Sequence, residues 1–363
     1  MPDGGVRSGI PVGGPLDAGV RSALKTRVDA ALRDFVEEEL DALLAVDADL
    51  TPVAEQLRVA TAHGKRLRAA FCYWGWRASG QSDSDAPIRA AASMEPVHAA
   101  AVVHDDLIDG SPLRHGLPTA HVALRAAVSG RTRSEAARSL AVLVGDLLMS
   151  WAGQLFATCG LPGAYLSRAR PLWAVPAREL IAGECLEILH TGATPDTAAS
   201  LKVIRYKTAK YTVEQPLLIG GALAGAAPGV REVFTAYGLP VGKAFQLRDD
   251  LLGLFGDPDR TGKANTDDIV AHRPTAVLAE TWREATPDER EDLKRLMGRR
   301  RLDEDGLERV RRIMRRTGAP DRVEHMISRR VEAADDAVGR ARLPSDAARA
   351  LADLAATAVF RHH

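Results

Sequence analysis

From Leu24 onward the apolar residues of this chain recur at helical spacing, as in Val28, Ala31, Leu32, Phe35, Val36, Leu40 and Leu43, with charges filling the opposite face. The pattern is renewed after each cluster of Gly, Pro, Asp or Ser, near residues 79–87, 110–118, 128–134, 160–163, 191–196, 226–229 and 256–266. Alanine is abundant and β-branched alternation over strand lengths is rare, which disfavours sheets. Ten or more helices are therefore expected. No fixed-period repeat and no shift in composition marks a second domain, so an all-α fold is predicted, a single large helical bundle over residues 18–363. Residues 1–17 are rich in Gly and Pro and poor in large apolar side chains; such a segment cannot offset its ordering entropy, and a flexible arm is expected.

Of the 363 residues 46% are hydrophobic, enough to bury a sizeable core. Lys and Arg number 48, as do Asp and Glu, so no global field draws nucleic acid or an anionic membrane and any anion site has to be built locally. Cys72, Cys159 and Cys185 are scattered and odd in number, which points to a reducing compartment, the cytoplasm. The segment MPDGGVRSGIPVGGPL lacks the apolar core of a signal peptide, and no run of about 18 apolar residues is evident, so neither export nor a membrane span is expected. GRRRLDEDGLERVRRIMRR is densely charged, yet Leu307, Val310 and Ile313 keep a helical stripe, the mark of a solvated helix face rather than a nucleic-acid patch.

Two acidic clusters carry the chemistry. In HDDLID, Asp105 and Asp109 share a helix face while Asp106 lies about 100° round. Acids at the end of the apolar run 99–103 are costly unless a cation answers them, although a solvated helix end explains this cluster taken alone. The second cluster, RDDLLGLFGDPDRTGKANTDD, holds Asp249, Asp250, Asp257, Asp267 and Asp268 after another apolar stretch. Two carboxylate walls far apart in sequence suit metal ions held between helices, with a diphosphate completing the coordination of Mg²⁺. Candidate anion-binding cations stand at separated points, Lys65, Arg66 and Arg68 in GKRLR, Arg114, Lys207 and Lys210 in KTAK, and Lys263.

In order along the chain, GKRLR, HDDLIDGSPLRHGLPTAH, LVGDLLM, YKTAKYTVEQPL and AFQLRDDLLGLFGDPDRTGK resemble the signature of the trans-polyprenyl (isoprenyl) diphosphate synthases over residues 60–275. The resemblance implies a helical bundle with a central apolar cavity, and a Mg²⁺-dependent head-to-tail condensation of isopentenyl diphosphate with an allylic diphosphate. It places two Mg²⁺ on Asp105 and Asp109 and a third on Asp249, with Asp106 and Asp250 in support. Arg114, Lys207, Thr208, Gln246, Lys263 and Arg273, the last at a position that is usually lysine, would hold the allylic diphosphate. Lys65, Arg68 and His98 would hold isopentenyl diphosphate, with Phe245 covering the substrate and His115 where the pattern has a second arginine. Gly253 replaces the third acid of the second motif, for which Asp257, Asp267 or Asp268 can compensate, and Glu184 and Glu187 replace the usual Gln and Asp. Pro96 is expected to kink the helix before Asp105.

Chain length in this family is set by side chains four or five residues before the first Asp. Here these are Ala101 and Ala100, so growth passes them and the next floor is expected at Trp151 or Phe156, giving the C20 geranylgeranyl product. The family's usual homodimer is expected as well. Two rival readings are a class I terpene cyclase, which would account for a weakened isopentenyl site at His115, and a non-catalytic partner subunit of a synthase, against which the intact Asp105, Asp106, Asp109, Asp249 and Asp250 stand.

Overall fold

The computed structural model of the chain describes residues 18–257, 265–299 and 301–359, and these are helical almost throughout. The expected arm and Lys263 lie outside the described residues. Helix α1 (Ala18–Leu44) buries Val28, Leu32, Phe35, Val36 and Leu40, residues whose spacing predicted it. After α2 (Thr51–Ala62), α3 (Leu67–Ala78) and α4 (Asp85–Ala92) comes α5 (Met94–Asp109), which ends in the first acidic cluster. Pro96 does not kink this helix. It sits in the first turn of α5, where a missing N–H is tolerated, and the break falls before it at Ser93.

The break at 110–118 holds a hairpin, β1 (Leu113–Arg114) and β2 (Leu117–Pro118), paired Leu113 with Pro118 and Arg114 with Leu117. Its two connecting residues, His115 and Gly116, have φ of +50° and +77°, as a type I′ turn requires. Then follow α6 (Ala120–Ala123), α7 (Arg133–Ala157), α8 (Gly163–His190) and α9 (Thr197–Val203). By length and composition alone, α7 is apolar enough to cross a membrane, a test that the core helix of a soluble protein also passes. It runs along α5 and buries Ala137, Ala141, Val144, Leu148 and Leu155 within the bundle.

A π-helix (Ile204–Glu214) joins α9 to α10 (Gln215–Ala224). Wide turns of this kind are rare and concentrate at functional sites. Its neighbours approach it through glycines: a Cβ on Gly183 of α8 would stand 2.3 Å from the Lys207 amide nitrogen, and one on Gly242 of α11 (Pro228–Phe255) 2.4 Å from the Ala209 Cα. Any side chain at either position would push the π-helix away. The short α12 (Asp267–Val270) leads to α13 (Ala276–Glu284), α14 (Pro287–Met297), α15 (Glu304–Arg316), α16 (Ala319–Gly339) and α17 (Ser345–Val359). α16 packs along α11, and α17 packs on α3 and α11. In α15 Leu307, Val310 and Ile313 are buried while Arg315 and Arg316 pair with Glu308 and Glu289 on the outside, as the charge pattern predicted.

Candidate active site

α5 stops at Gly110, φ +66°, whose amide donates to the Asp106 carbonyl. Asp105, Asp106 and Asp109 therefore occupy the last turns, where the negative end of the helix dipole adds to their mutual repulsion. Three cations from other elements answer them. The hairpin brings Arg114 back onto Asp106, with Nε 2.8 and 2.9 Å from the two carboxylate oxygens and a terminal nitrogen at 2.6 Å, while Asp105 lies 3.4 Å away. Lys207 reaches from the π-helix to Asp105 at 3.1 Å and to Glu184 of α8 at 2.7 Å, and also pairs with Glu187. Burial opposes the charge of Lys207, but Glu187, Asp105 and Glu184 together hold its pKa above the ordinary lysine value. Asp109 pairs with Arg273, which stands 3.5 Å from Asp268.

The second wall lies near the end of α11. Asp250 is buried and accepts a 2.9 Å hydrogen bond from Gln246, whose amide oxygen accepts the Thr208 hydroxyl at 2.8 Å. Burial pushes the Asp250 carboxyl up to about 8; the Gln246 hydrogen bond opposes this and the charges of Asp268 and Asp249 add to it. Thr208 and Gln246 thus tie the π-helix to the second wall, and Lys207 and Arg273 reach the first wall, from the π-helix and from beyond α12 respectively.

A basic neighbourhood adjoins the first wall. Exposed Lys65 precedes α3 and Arg68 lies in its first turn. The Arg68 guanidinium stacks 4.4 Å from the Tyr211 ring centroid and donates to Thr212 at 3.1 Å, and its Nε is buried without a hydrogen-bond partner. His98 and the Tyr211 hydroxyl form a 2.8 Å hydrogen bond. Burial first, and then the positive charges of Arg68, Arg114, Arg66 and His115, press the His98 pKa well below its ordinary value, so the imidazole is neutral. Arg66 is engaged elsewhere, 2.7 Å from Asp29 and 3.6 Å from Glu95. Lys210 likewise pairs with Glu179 at 2.5 Å and Glu214 at 3.8 Å and is not one of the site's cations. Tyr211 lies within the YKTAKYTVEQPL motif but was given no role there; its part in the site shows only through its contacts with Arg68 and His98. Phe245, one helical turn before Asp249, is half-buried against the core.

Arg68 and Tyr211 border a cavity whose other walls are Met94 and Val97 of α5, Met149 and Ala152 of α7, and Trp173 with Pro176 and Ala177 of α8. Val97, Ala101 and Asp105 share one face of α5, so Ala101 stands between the acids and this cavity, whereas Ala100 is wholly buried. The expected floor has to be corrected. Trp151 turns to α1 and packs edge-on against Phe35, with ring centroids 6.3 Å apart, outside the cavity lining. Trp173 lines the cavity instead, stacked on Phe156 at 4.1 Å.

Residues 52–314 match the Polyprenyl synthetase family. The chain belongs to that family. Over 259 residues it is 30% identical to the geranylgeranyl diphosphate synthase of Saccharolobus solfataricus, covering 70% of this chain and 74% of that one. Over 289 residues it is 31% identical to the geranylfarnesyl diphosphate synthase of Aeropyrum pernix, covering 78% and 86%. The fold matches a Corynebacterium glutamicum geranylgeranyl pyrophosphate synthase complexed with isoprenyl diphosphate and magnesium, with a TM-score of 0.88, 30% identity and coverage of 93% of this chain and 98% of that one. The chain is thus an all-α prenyltransferase, and its family uses isopentenyl and allylic diphosphates.

As a polyprenyl synthetase, the chain departs from the family pattern where its geometry supplies an answer. Glu184 and Glu187, in place of Gln and Asp, both face Lys207, so these acids still meet the π-helix lysine. A Cβ on Gly253 would lie 3.1 Å from the Asp268 carboxylate, which stands beside the place of the missing acid. The donors on both walls are carboxylate oxygens, the hard set that suits Mg²⁺. No three acids, histidines or cysteines form a ready metal cluster among the described residues.

Proposed function

We propose that the chain condenses isopentenyl diphosphate with an allylic diphosphate to give a linear prenyl diphosphate, with geranylgeranyl diphosphate as the product, and that three Mg²⁺ take part. The observation that carries this reading is a first wall of carboxylates met by Lys207 and Arg273, the latter also facing Asp268 near the end of α11, together with an apolar cavity bordered by Arg68. Asp105 and Asp109 would hold metal on one wall and Asp249 on the other, and Mg²⁺ there would supply neutralisation of the leaving diphosphate. Arg114, Lys207 and Arg273 bring fixed positive charge to the place where the departing diphosphate gathers negative charge, so they stabilise C–O ionisation. Lys65, Arg68, His98 and His115 form the pocket for the second diphosphate. The apolar walls keep water from the allylic cation and receive the growing tail.

The C20 length is supported by small Ala101 on the α5 face that leads to the cavity and by the Trp173–Phe156 stack beyond it. A homodimer through α7 and α8 belongs to the same reading. α8 buries Ala169, Pro176 and Gly183, whereas Ile181, Ile188 and Leu189 on α8 and Val142 and Leu143 on α7 are exposed, an apolar surface that a second copy would cover. The free Cys72, Cys159 and Cys185 favour a cytoplasmic setting. Incubation with isopentenyl diphosphate, each allylic diphosphate in turn and Mg²⁺, followed by mass analysis of the dephosphorylated products, is expected to yield a linear C20 alcohol. Cyclic hydrocarbons, or no product with any primer, would overturn the reading.

A further inference from the structure

The π-helix sends Lys207 to the acidic half and, one wide turn later, Tyr211 and Thr212 to the basic half. Tyr211 is buried and meets three parts of the site at once. Its ring carries the Arg68 guanidinium 4.4 Å from the centroid, its hydroxyl lies 2.8 Å from His98 Nδ1, and the same side chain borders the apolar cavity. Thr212 beside it accepts a hydrogen bond from Arg68 at 3.1 Å. Buried Arg66 is fixed by carboxylates, Asp29 and Glu95, which match its charge. An aromatic face and a hydroxyl instead fix Arg68 without neutralising it, so its charge stays available to an anion. The hydroxyl of Tyr211 bears on His98 in the same way. A neutral imidazole has one N–H and one acceptor nitrogen, and the partner of either nitrogen decides which is which. His98 is neutral, and burial, against the opposing charge of Arg68, holds the Tyr211 phenol above its ordinary pKa, so the phenol has a proton to give.

We propose that Tyr211 is a positioning residue of the isopentenyl subsite: its ring seats Arg68 and its hydroxyl donates to His98 Nδ1, so that a charged guanidinium and an Nε2–H are both presented to the second diphosphate. This rests on the proposed function, in which Arg68 and His98 hold isopentenyl diphosphate. The competing account is that Tyr211 only fills space beside α3 and α5. Phenylalanine restores filled space but not the tautomer of His98, and there the two accounts part.

The test is calorimetric titration of the full chain with isopentenyl diphosphate in EDTA, which reads the basic half without metal on the carboxylate walls, together with NMR of the histidine ring nitrogens and a melting curve for each variant. Wild-type His98, assigned through His98→Gln, should carry its proton on Nε2. Tyr211→Phe keeps the ring and loses one hydrogen bond, so the Kd should rise about fivefold and the His98 signal should lose the pattern of a single Nε2–H tautomer. Tyr211→Leu also removes the seat of Arg68 and should raise the Kd about 30-fold. Added to Arg68→Met, it should cost no more than Tyr211→Phe does. The proposal is overturned by a wild-type His98 protonated on Nδ1, by a Tyr211→Phe variant with Kd and tautomer unchanged, or by a Tyr211→Leu variant that binds as well as Tyr211→Phe. A different result marks failure of the wider reading: if the wild-type chain does not bind isopentenyl diphosphate, or binds it as tightly after Arg68→Met, the second diphosphate pocket is wrong and this role of Tyr211 falls with it.

Discussion

The two halves of the cleft handle charge in opposite ways. On the acidic half the first-wall carboxylates each meet a cation from another element, Asp106 to Arg114, Asp105 to Lys207 and Asp109 to Arg273, and Arg273 also faces Asp268, while Asp250 of the second wall is held by Gln246. On the basic half Arg68 rests on an aromatic ring and a hydroxyl, with no carboxylate partner among the described residues, and His98 beside it is held neutral. Positive charge there is left available for an anion, whereas on the acidic half it is matched in advance. The acidic half is arranged for a reaction in which charge is redistributed, and the basic half for holding a diphosphate that stays intact. The largest expected effect follows from this division. Asp105→Ala and Asp249→Ala should each lower kcat by about 10³-fold or more, since each removes a group that acts on transition-state charge, and a chelator should abolish turnover. Steady-state kinetics checks this, and near-normal kcat in both variants would break the division.

The neighbouring arginines 66 and 68 sharpen it further. Arg66 is buried between Asp29 and Glu95, so Arg66→Met leaves Glu95 uncompensated and should cost about 3 kcal/mol of stability. Arg68 has no such partner among the described residues. Arg68→Met should raise the KM for isopentenyl diphosphate roughly 30-fold, about 2 kcal/mol, with a much smaller change in the melting temperature. Urea denaturation and initial-rate kinetics on both proteins decide it. If Arg68→Met unfolds the protein as readily as Arg66→Met does and leaves KM alone, then Arg68 is structural and the basic half has no available charge.

Much of this was legible because it depends on local rules. Each predicted break from 79–87 to 226–229 falls at a junction between helices, since Gly, Pro and Asp clusters interrupt the helical hydrogen-bond ladder, while most of the one near 256–266 lies outside the described residues. The acid positions followed from i, i+4 spacing at the end of α5. What stayed hidden depends on which face of an element turns inward or on contacts remote in sequence. α7 is apolar on most of its circumference, so periodicity could not say that Trp151 faces α1 while Met149 and Ala152 face the cavity. Trp173 lies between Pro171 and Pro176, prolines that break the helical pattern around it and hide which way it faces. The grip of Glu184 and Glu187 on Lys207 needs the close approach at Gly183, and the hairpin at Leu113 rests on two-residue strands too short to read as a pattern.

The cavity joins the two halves, and its size gives a smaller effect. Trp173→Ala removes the ring stacked on Phe156 and should lengthen the product by at least one five-carbon unit, with stability falling by up to about 3 kcal/mol. Ala101→Phe, on the α5 face between Asp105 and Val97, should shorten the product toward C15. Mass analysis of the released alcohols reads both. A folded, active Trp173→Ala with an unchanged product shows that the tail does not reach α8, and the same result for Ala101→Phe shows that it does not pass along α5.

The smallest effect concerns two histidines of the basic half that differ in exposure. His98 is buried, and burial together with the neighbouring arginines depresses its pKa below that of the unfolded chain. The unfolded state therefore takes up the proton first: the stabilising effect of neutral His98 is fully present above about pH 6.5 and is lost as pH falls, by at most about 1.4 kcal/mol per pH unit. His98 is neutral on both sides of neutrality, so it cannot make substrate binding pH-dependent there. His115 is exposed at the tip of the hairpin, φ +50°, and is a histidine, a residue type that can change its charge around neutrality, where the family pattern has an arginine that cannot. The KM for isopentenyl diphosphate should thus fall a few-fold between about pH 8 and pH 6.5, while the KM for the allylic substrate changes less. His115→Arg makes the charge permanent, and it should lower the isopentenyl KM at pH 8 and flatten its profile. Speciation of Mg²⁺ and diphosphate varies with pH equally for both proteins, so the comparison cancels it. If the two profiles coincide, the hairpin tip does not face the second diphosphate, and holding that diphosphate falls to Lys65 and Arg68.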